Sequence, residues 1–155
     1  MTEAVQNFNL RLNGWVLGIV LWVGVIFFSS TSIAARWCED AFRVLSGVIF
    51  SHLHADDATY GLIHLFADKS VHVGLFLVLG LLLWQALPNA HWKVARIILF
   101  GAAVGSASEF LQSFFPGRDP AVRDVLINVA GTAVGICVCL GWMKYRSRTE
   151  ALVLK

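Results

Sequence analysis

Charge is scarce in this chain. Asp, Glu, Lys and Arg make up 14% of its 155 residues, far below the roughly 25% of soluble proteins. The net charge of +2 is small. No basic stripe with interleaved aromatics accompanies it, so nucleic acid is not an expected partner. Cysteine is sparse too. Cys38, Cys137 and Cys139 have neither zinc nor redox spacing, and they imply no disulfide framework. Cys137 and Cys139 lie within an apolar run and read as small hydrophobic residues. Gly-rich phosphate loops, a nucleophile elbow and HExxH are all missing, which removes the motif-bearing enzyme classes. The three prolines, Pro88, Pro116 and Pro120, stand at the ends of apolar runs.

What the chain has instead is hydrophobic sequence, 57% of it. Residues 14–28 are uninterrupted apolar sequence, and with flanks the run covers about 12–30, near the 20 residues that a bilayer requires. Ser32-Ile33-Ala34 weakly resembles a signal-peptide cleavage site, but we expect an uncleaved first span. Further spans are expected at about 69–87, 94–114 and 121–143. Residues 31–67 are harder to read. Phe42, Leu45, Val48 and Ile49 suit a short helix within 40–52, lying in the interface or re-entrant. The expected fold is therefore all-α. It is a polytopic membrane protein, a four-helix transmembrane bundle with an interfacial or re-entrant segment between spans one and two. Residues 1–155 would form a single membrane domain. Gly14/Gly18, Gly101/Gly105 and Gly131/Gly135 are GxxxG pairs, expected to let helices approach closely. The last stretch, KYRSRTEALVLK, is basic and polar at first, and its end carries no readable signal.

Four spans put both termini on one side. Arg11, Lys93, Arg96, Lys144, Arg146, Arg148 and Lys155 share that side with Glu3 and Glu150. The other side holds five basic residues, Arg36, Arg43, Lys69, Arg118 and Arg123, and eight acids, Glu39, Asp40, Asp56, Asp57, Asp68, Glu109, Asp119 and Asp124. The Lys and Arg bias predicts cytoplasmic termini, with a polar cluster facing outward.

That cluster is centred on residues 109–131, EFLQSFFPGRDPAVRDVLINVAG. Glu109 and Gln112 are three apart, Asp124 and Asn128 four apart, so each pair shares a helix face. Pro116-Gly117 breaks the chain between them, and Pro120 restarts it. Antiparallel connections bring Asp68, Lys69 and His72, at the start of the second span, to the same level. The candidate ligand-binding residues are Asp68, Lys69, His72, Glu109, Gln112, Arg118, Asp124 and Asn128. Arg118 suits a phosphate or carboxylate, which a guanidinium grips bidentately. His72, Glu109 and Asp124 are the catalytic candidates, with Glu109 and His72 as an acid/base pair. A satisfied ion network that fixes the bundle is the competing reading, since Asp68 and Asp124 also suit helix starts. Ionisable groups at membrane depth are usually functional, which favours a site. The run HLHADD at 52–57, with His64 nearby, has the content of a metal site. No third ligand is fixed by spacing, so an exposed loop is expected, with no metal and no cofactor.

These residues resemble the VanZ-like family of bacterial membrane proteins. The match is DKxxHxxxF at Asp68, Lys69, His72 and Phe76, then ExxQ at Glu109 and Gln112. The PGR turn at Pro116–Arg118 follows, then DVxxNxxG at Asp124, Val125, Asn128 and Gly131. Order and spacing fit across about 68–135. The family is named for a protein giving low-level resistance to teicoplanin, a glycopeptide that binds cell-wall precursor. The resemblance strengthens the outward-facing site that the charge bias predicts, and implies a bacterial plasma (inner) membrane. Expected partners are membrane lipids, a polyprenyl-linked cell-wall precursor or a lipoglycopeptide. Three functions remain open: a binder of such a head group, an enzyme modifying an envelope lipid through Glu109 and His72, and a small transporter or complex subunit.

Overall fold

The computed structural model describes the backbone of residues 2–50 and 57–153, and side chains within 14–47 and 59–152. Among these residues the chain is five helices and no strand: α1 (Thr2–Ser29), α2 (Ser32–Phe50), α3 (Asp57–Ala86), α4 (Lys93–Gln112) and α5 (Val122–Val153). Thr59–Ala86, Lys93–Gln112 and Val122–Leu152 are each long and apolar enough to cross a membrane. Gly14–Ser29 and Ser32–Gly47 meet the same test together, as a pair bent by 76°. The all-α, helical membrane bundle expected from the sequence is what is found.

The bend between α1 and α2 has a local cause. Three hydroxyl residues follow one another where α1 ends. Ser29 Oγ donates to Ile26 O at 2.7 Å, Ser30 Oγ to Ile26 O at 3.2 Å and Thr31 Oγ1 to Phe28 O at 2.8 Å. Such bonds compete with the helical ladder. Thr31 Oγ1 then accepts from Ala34 N at 3.3 Å, so the same residue opens α2 as its cap.

The core lies where α3 meets α1, α4 and α5. Phe76, Leu79 and Leu83 of α3 are buried with Ile26 of α1, Ile97 and Val104 of α4, and Ile136 of α5. Trp22 of α1 donates its indole N–H to Leu75 O at 2.8 Å. Lipid tails are as apolar as leucine, so between membrane helices close approach matters more than apolar burial. Here it is extreme along α3 and α5. A Cβ at Gly131 would lie 2.7 Å from Val73 O, and one at Gly80 2.6 Å from Thr132 O. One at Gly135 would collide with Leu77 O. On α4, Gly101 lies against Thr132 and Gly105 against Asn128. Two of the three GxxxG pairs are thus interfaces. Among the described residues the pair Gly14/Gly18 is not, because no atom of another helix lies within 4 Å of a Cβ there. Gly80, outside any GxxxG pair, is the residue that α5 uses instead.

Several helices outrun the expected boundaries. The short helix expected within 40–52 is a 19-residue helix that begins at Ser32. α3 begins at Asp57, well before Lys69, because YGLIHLFA continues the helix ahead of the polar DK pair. α5 carries the basic tail to Val153, supported there by Arg146 Nε–Glu150 Oε1 at 2.9 Å, an i,i+4 pair. The HLHADD run falls largely within 51–56, outside the described residues.

Candidate functional site

The site is built at one end of the bundle, where α1 stops, α3 is in its second quarter, α4 stops and α5 starts. The link from α4 to α5 is a turn over 115–118, closed by Arg118 N–H to Phe115 O at 3.3 Å. Pro116 supplies the fixed φ of its second position, and Gly117 takes φ 78° at the third. That is the residue pattern of a type II turn, which requires glycine there. Two bonds dock this turn on the α1–α2 hinge. Ser32 Oγ donates to Pro116 O at 2.9 Å, and Arg118 Nη2 to Ser29 O at 3.4 Å. A cation is well placed near the carbonyl end of α1.

α5 begins at Val122, with Ala121 in the cap position, and an alanine cannot cap with its side chain. Glu109 of α4 instead anchors the cap residue itself. Its Oε2 takes the Ala121 N–H at 3.1 Å, while Oε1 receives Gln112 Nε2 at 3.4 Å. Both residues are buried. Glu109 therefore fastens α4 to the start of α5, where a negative charge also suits the helix dipole.

Lys69 of α3 stands between two carboxylates. Its Nζ lies 2.8 Å from Asp124 Oδ2 on α5 and 2.9 Å from Asp68 Oδ2 on its own helix. Asp124 Oδ1 has no hydrogen-bond partner; Arg123 Nε approaches it only to 3.7 Å. One turn deeper, His72 Nδ1 meets Asn128 Oδ1 at 3.1 Å. Asn128 is fully buried, and its Nδ2 is unpartnered. Toward α1, Ser30 Oγ and Ser108 Oγ share a buried bond of 2.7 Å.

Two cavities open on this arrangement. One, of about 130 Å³, is walled by Lys69, Gln112, Asp119 and Asp124. The other, of about 260 Å³, runs between α2 and α3. Ala35, Cys38, Glu39 and Phe42 line it from α2, and His64, Ala67, Val71 and Leu75 from α3. Asp68, His72, Gly117 and Arg118 border both. Arg118 thus sits at the junction of a polar chamber and a largely apolar groove. Its Nε is buried and unpartnered.

Six of the eight residues singled out for ligand binding line these cavities: Asp68, Lys69, His72, Gln112, Arg118 and Asp124. Glu109 and Asn128 line neither, and act behind the wall. The acid/base pair of Glu109 with His72 is not a hydrogen-bonded pair here. Glu109 is held by Ala121 and Gln112, His72 by Asn128. The α2 wall was missed altogether. Its signal was available, since 35, 38, 39 and 42 have the i, i+3, i+4, i+7 spacing of one helix face. No cluster of three or more His, Cys, Asp or Glu suited to a metal occurs among the described residues.

A family model described as VanZ/LLP1 matches residues 15–144. No curated protein and no solved structure matches the chain. The matched region holds all five helices in whole or part and every residue of the site, and the chain is a membrane protein that belongs to the VanZ/LLP1 family.

Proposed function

We propose that this protein, as one membrane domain, holds the head group of an amphipathic envelope lipid at the hinge end of its bundle. The observation that carries the reading is Arg118. Arg118 borders both a polar chamber and an apolar groove, and its buried Nε–H lacks an acceptor. An unmet buried donor is costly, and a phosphate or carboxylate oxygen would meet it. The hydrocarbon of the same molecule would lie toward Val71 and Leu75. In this reading the membrane is a bacterial plasma (inner) membrane. The termini are cytoplasmic and Arg118 faces outward, as the Lys and Arg bias favours. The ligand is a phospholipid, a polyprenyl-linked cell-wall precursor or a lipoglycopeptide. Retaining it would account for low-level teicoplanin resistance.

The test is lipid retention. Wild-type protein released from nanodiscs should carry bound lipid in native mass spectrometry, and Arg118→Ala should lose it. Equal retention by the alanine variant would overturn the reading. For orientation, Asp119→Cys should react with an impermeant maleimide in intact cells and Ser147→Cys should not; the reverse pattern places the site in the cytoplasm.

A second reading, chemistry on the bound lipid, rests on His72. Asn128 Oδ1 fixes the Nδ1 side of the ring, which leaves Nε2 as the nitrogen for proton transfer at a cavity wall. A change in lipid mass on incubation with the protein, absent with His72→Gln, would favour it over simple binding.

A further inference from the structure

Resting on that reading, the lining of the polar chamber specifies more than an anion. We propose that the preferred head group is a small zwitterion, a phosphodiester that carries a primary ammonium. Three carboxylates, Asp68, Asp119 and Asp124, line the chamber against two cations, Lys69 and Arg118. Lys69 is already shared by Asp68 and Asp124. Arg118 makes no ion pair among the described residues, and neither does Asp119. Arg123, outside the chamber, reaches Asp124 Oδ1 only to 3.7 Å, so a simple anion bound at Arg118 would sit beside the unpaired Asp119 and a pair of carboxylates that share one lysine, where like charges repel.

The unpartnered atoms say the same thing independently. Arg118 Nε is a buried donor that lacks an acceptor. Asp124 Oδ1 is an acceptor that lacks a donor, on a residue only 6% exposed. Both residues wall the same chamber. A ligand that satisfies both must present an acceptor and a donor within one small head group. A phosphate oxygen toward Arg118 and an N–H toward Asp124 and Asp119 do so with no net charge added. A quaternary ammonium has the charge but no N–H, and a glycerol head group has donors but no positive charge. Size points the same way: about 130 Å³ is well below the roughly 300–1,000 Å³ of pockets that take drug-sized ligands. A large glycosylated or peptidic head would not fit within this chamber alone, so of the ligands proposed above the chamber favours the phospholipid.

Full-length protein in detergent, titrated by native mass spectrometry with dioleoyl phosphatidylethanolamine, phosphatidylcholine and phosphatidylglycerol, tests the assignment. The ethanolamine lipid should bind about tenfold more tightly than the choline lipid, the effect of one charge-assisted hydrogen bond. The glycerol lipid should also bind more weakly than the ethanolamine lipid. Asp119→Asn, on the exposed turn, should reduce that preference with the melting temperature unchanged. Equal binding of all three lipids, lost together in Arg118→Ala, would overturn the ammonium assignment and leave phosphate binding intact. Tightest binding of the glycerol lipid would likewise overturn it. No binding of any of the three would overturn both.

Discussion

Lys69 and Arg118 border the same chamber and are held in opposite ways. Lys69 belongs to the seam between α3 and α5, where glycines bring backbones into contact and two carboxylates close around its ammonium. Arg118 belongs to a turn resting on the α1–α2 hinge, bonded through one N–H to a backbone carbonyl at 3.4 Å, with its Nε unmet. A satisfied cation stabilises the fold it is built into. An unsatisfied one keeps its interaction free energy for something else. The seam is therefore the scaffold, and in the function proposed above the turn takes the ligand.

The largest effect should come from the seam. Lys69→Ala leaves Asp124, whose side chain is 8% exposed, and its neighbour Asp68 without their shared cation. Stranding buried charge typically costs about 3–5 kcal/mol. Lys69 is itself 21% exposed, so about 3 kcal/mol is expected. Thermal unfolding in detergent should show a melting temperature lowered by many degrees, or no folded protein. A change too small to measure would mean that Lys69 is as free as Arg118, and the contrast between the two would fail.

The seam was also the more legible region in the sequence. Asp68, Lys69, His72, Asp124 and Asn128 stand at helical spacings, and Gly131 and Gly135 mark a close approach, so neighbours along one helix reveal the shared face. The hinge left weaker marks. α2 has apolar residues on exposed surface, Trp37, Val44 and Leu45 among them, so apolar positions do not mark its inward face. Its face at Ala35, Cys38, Glu39 and Phe42 is one-sided but mixes apolar with polar residues, so it does not read as a cavity wall. Its start at Ser32 is set by the Thr31 cap, a short-range signal that was present but ambiguous among Ser29, Ser30, Thr31 and Ser32. The role of Glu109 was not legible at all. Its partner is the backbone N–H of Ala121, and backbone partners leave no trace in residue identity.

Glu109 gives an intermediate case. It is more deeply buried than Lys69, yet its contacts are a backbone N–H and an amide rather than a cation. Glu109→Gln keeps a carbonyl acceptor for Ala121 and removes the charge beside the start of α5. A loss of about 1 kcal/mol is expected, with lipid binding retained. If the protein is instead an enzyme that uses Glu109 for proton transfer, the variant should stay folded and bind lipid. It would then lose turnover by about a hundredfold or more. A melting curve and a lipid-conversion assay on one preparation separate an anchor from a catalyst.

The smallest effect on stability, and the sharpest on function, belongs to Arg118→Lys. An ammonium retains the positive charge beside the C-terminal end of α1, and the 3.4 Å bond to Ser29 O is too long to stabilise the fold much. Unfolding free energy should change by no more than about 0.5 kcal/mol. Ligand affinity should not be spared. Lysine is a point charge on a flexible stem, and it cannot meet Ser29 O with one N–H while offering a parallel pair to a phosphate. Loss of one charge-assisted bond corresponds to about a tenfold weaker lipid affinity in the titration described above. The two measurements must diverge for the contrast to hold. Lost stability together with lost binding would place Arg118 in the same structural network as Lys69. Unchanged stability with unchanged binding would make Arg118 a general positive charge, and the buried Nε would then be met by water rather than by a ligand.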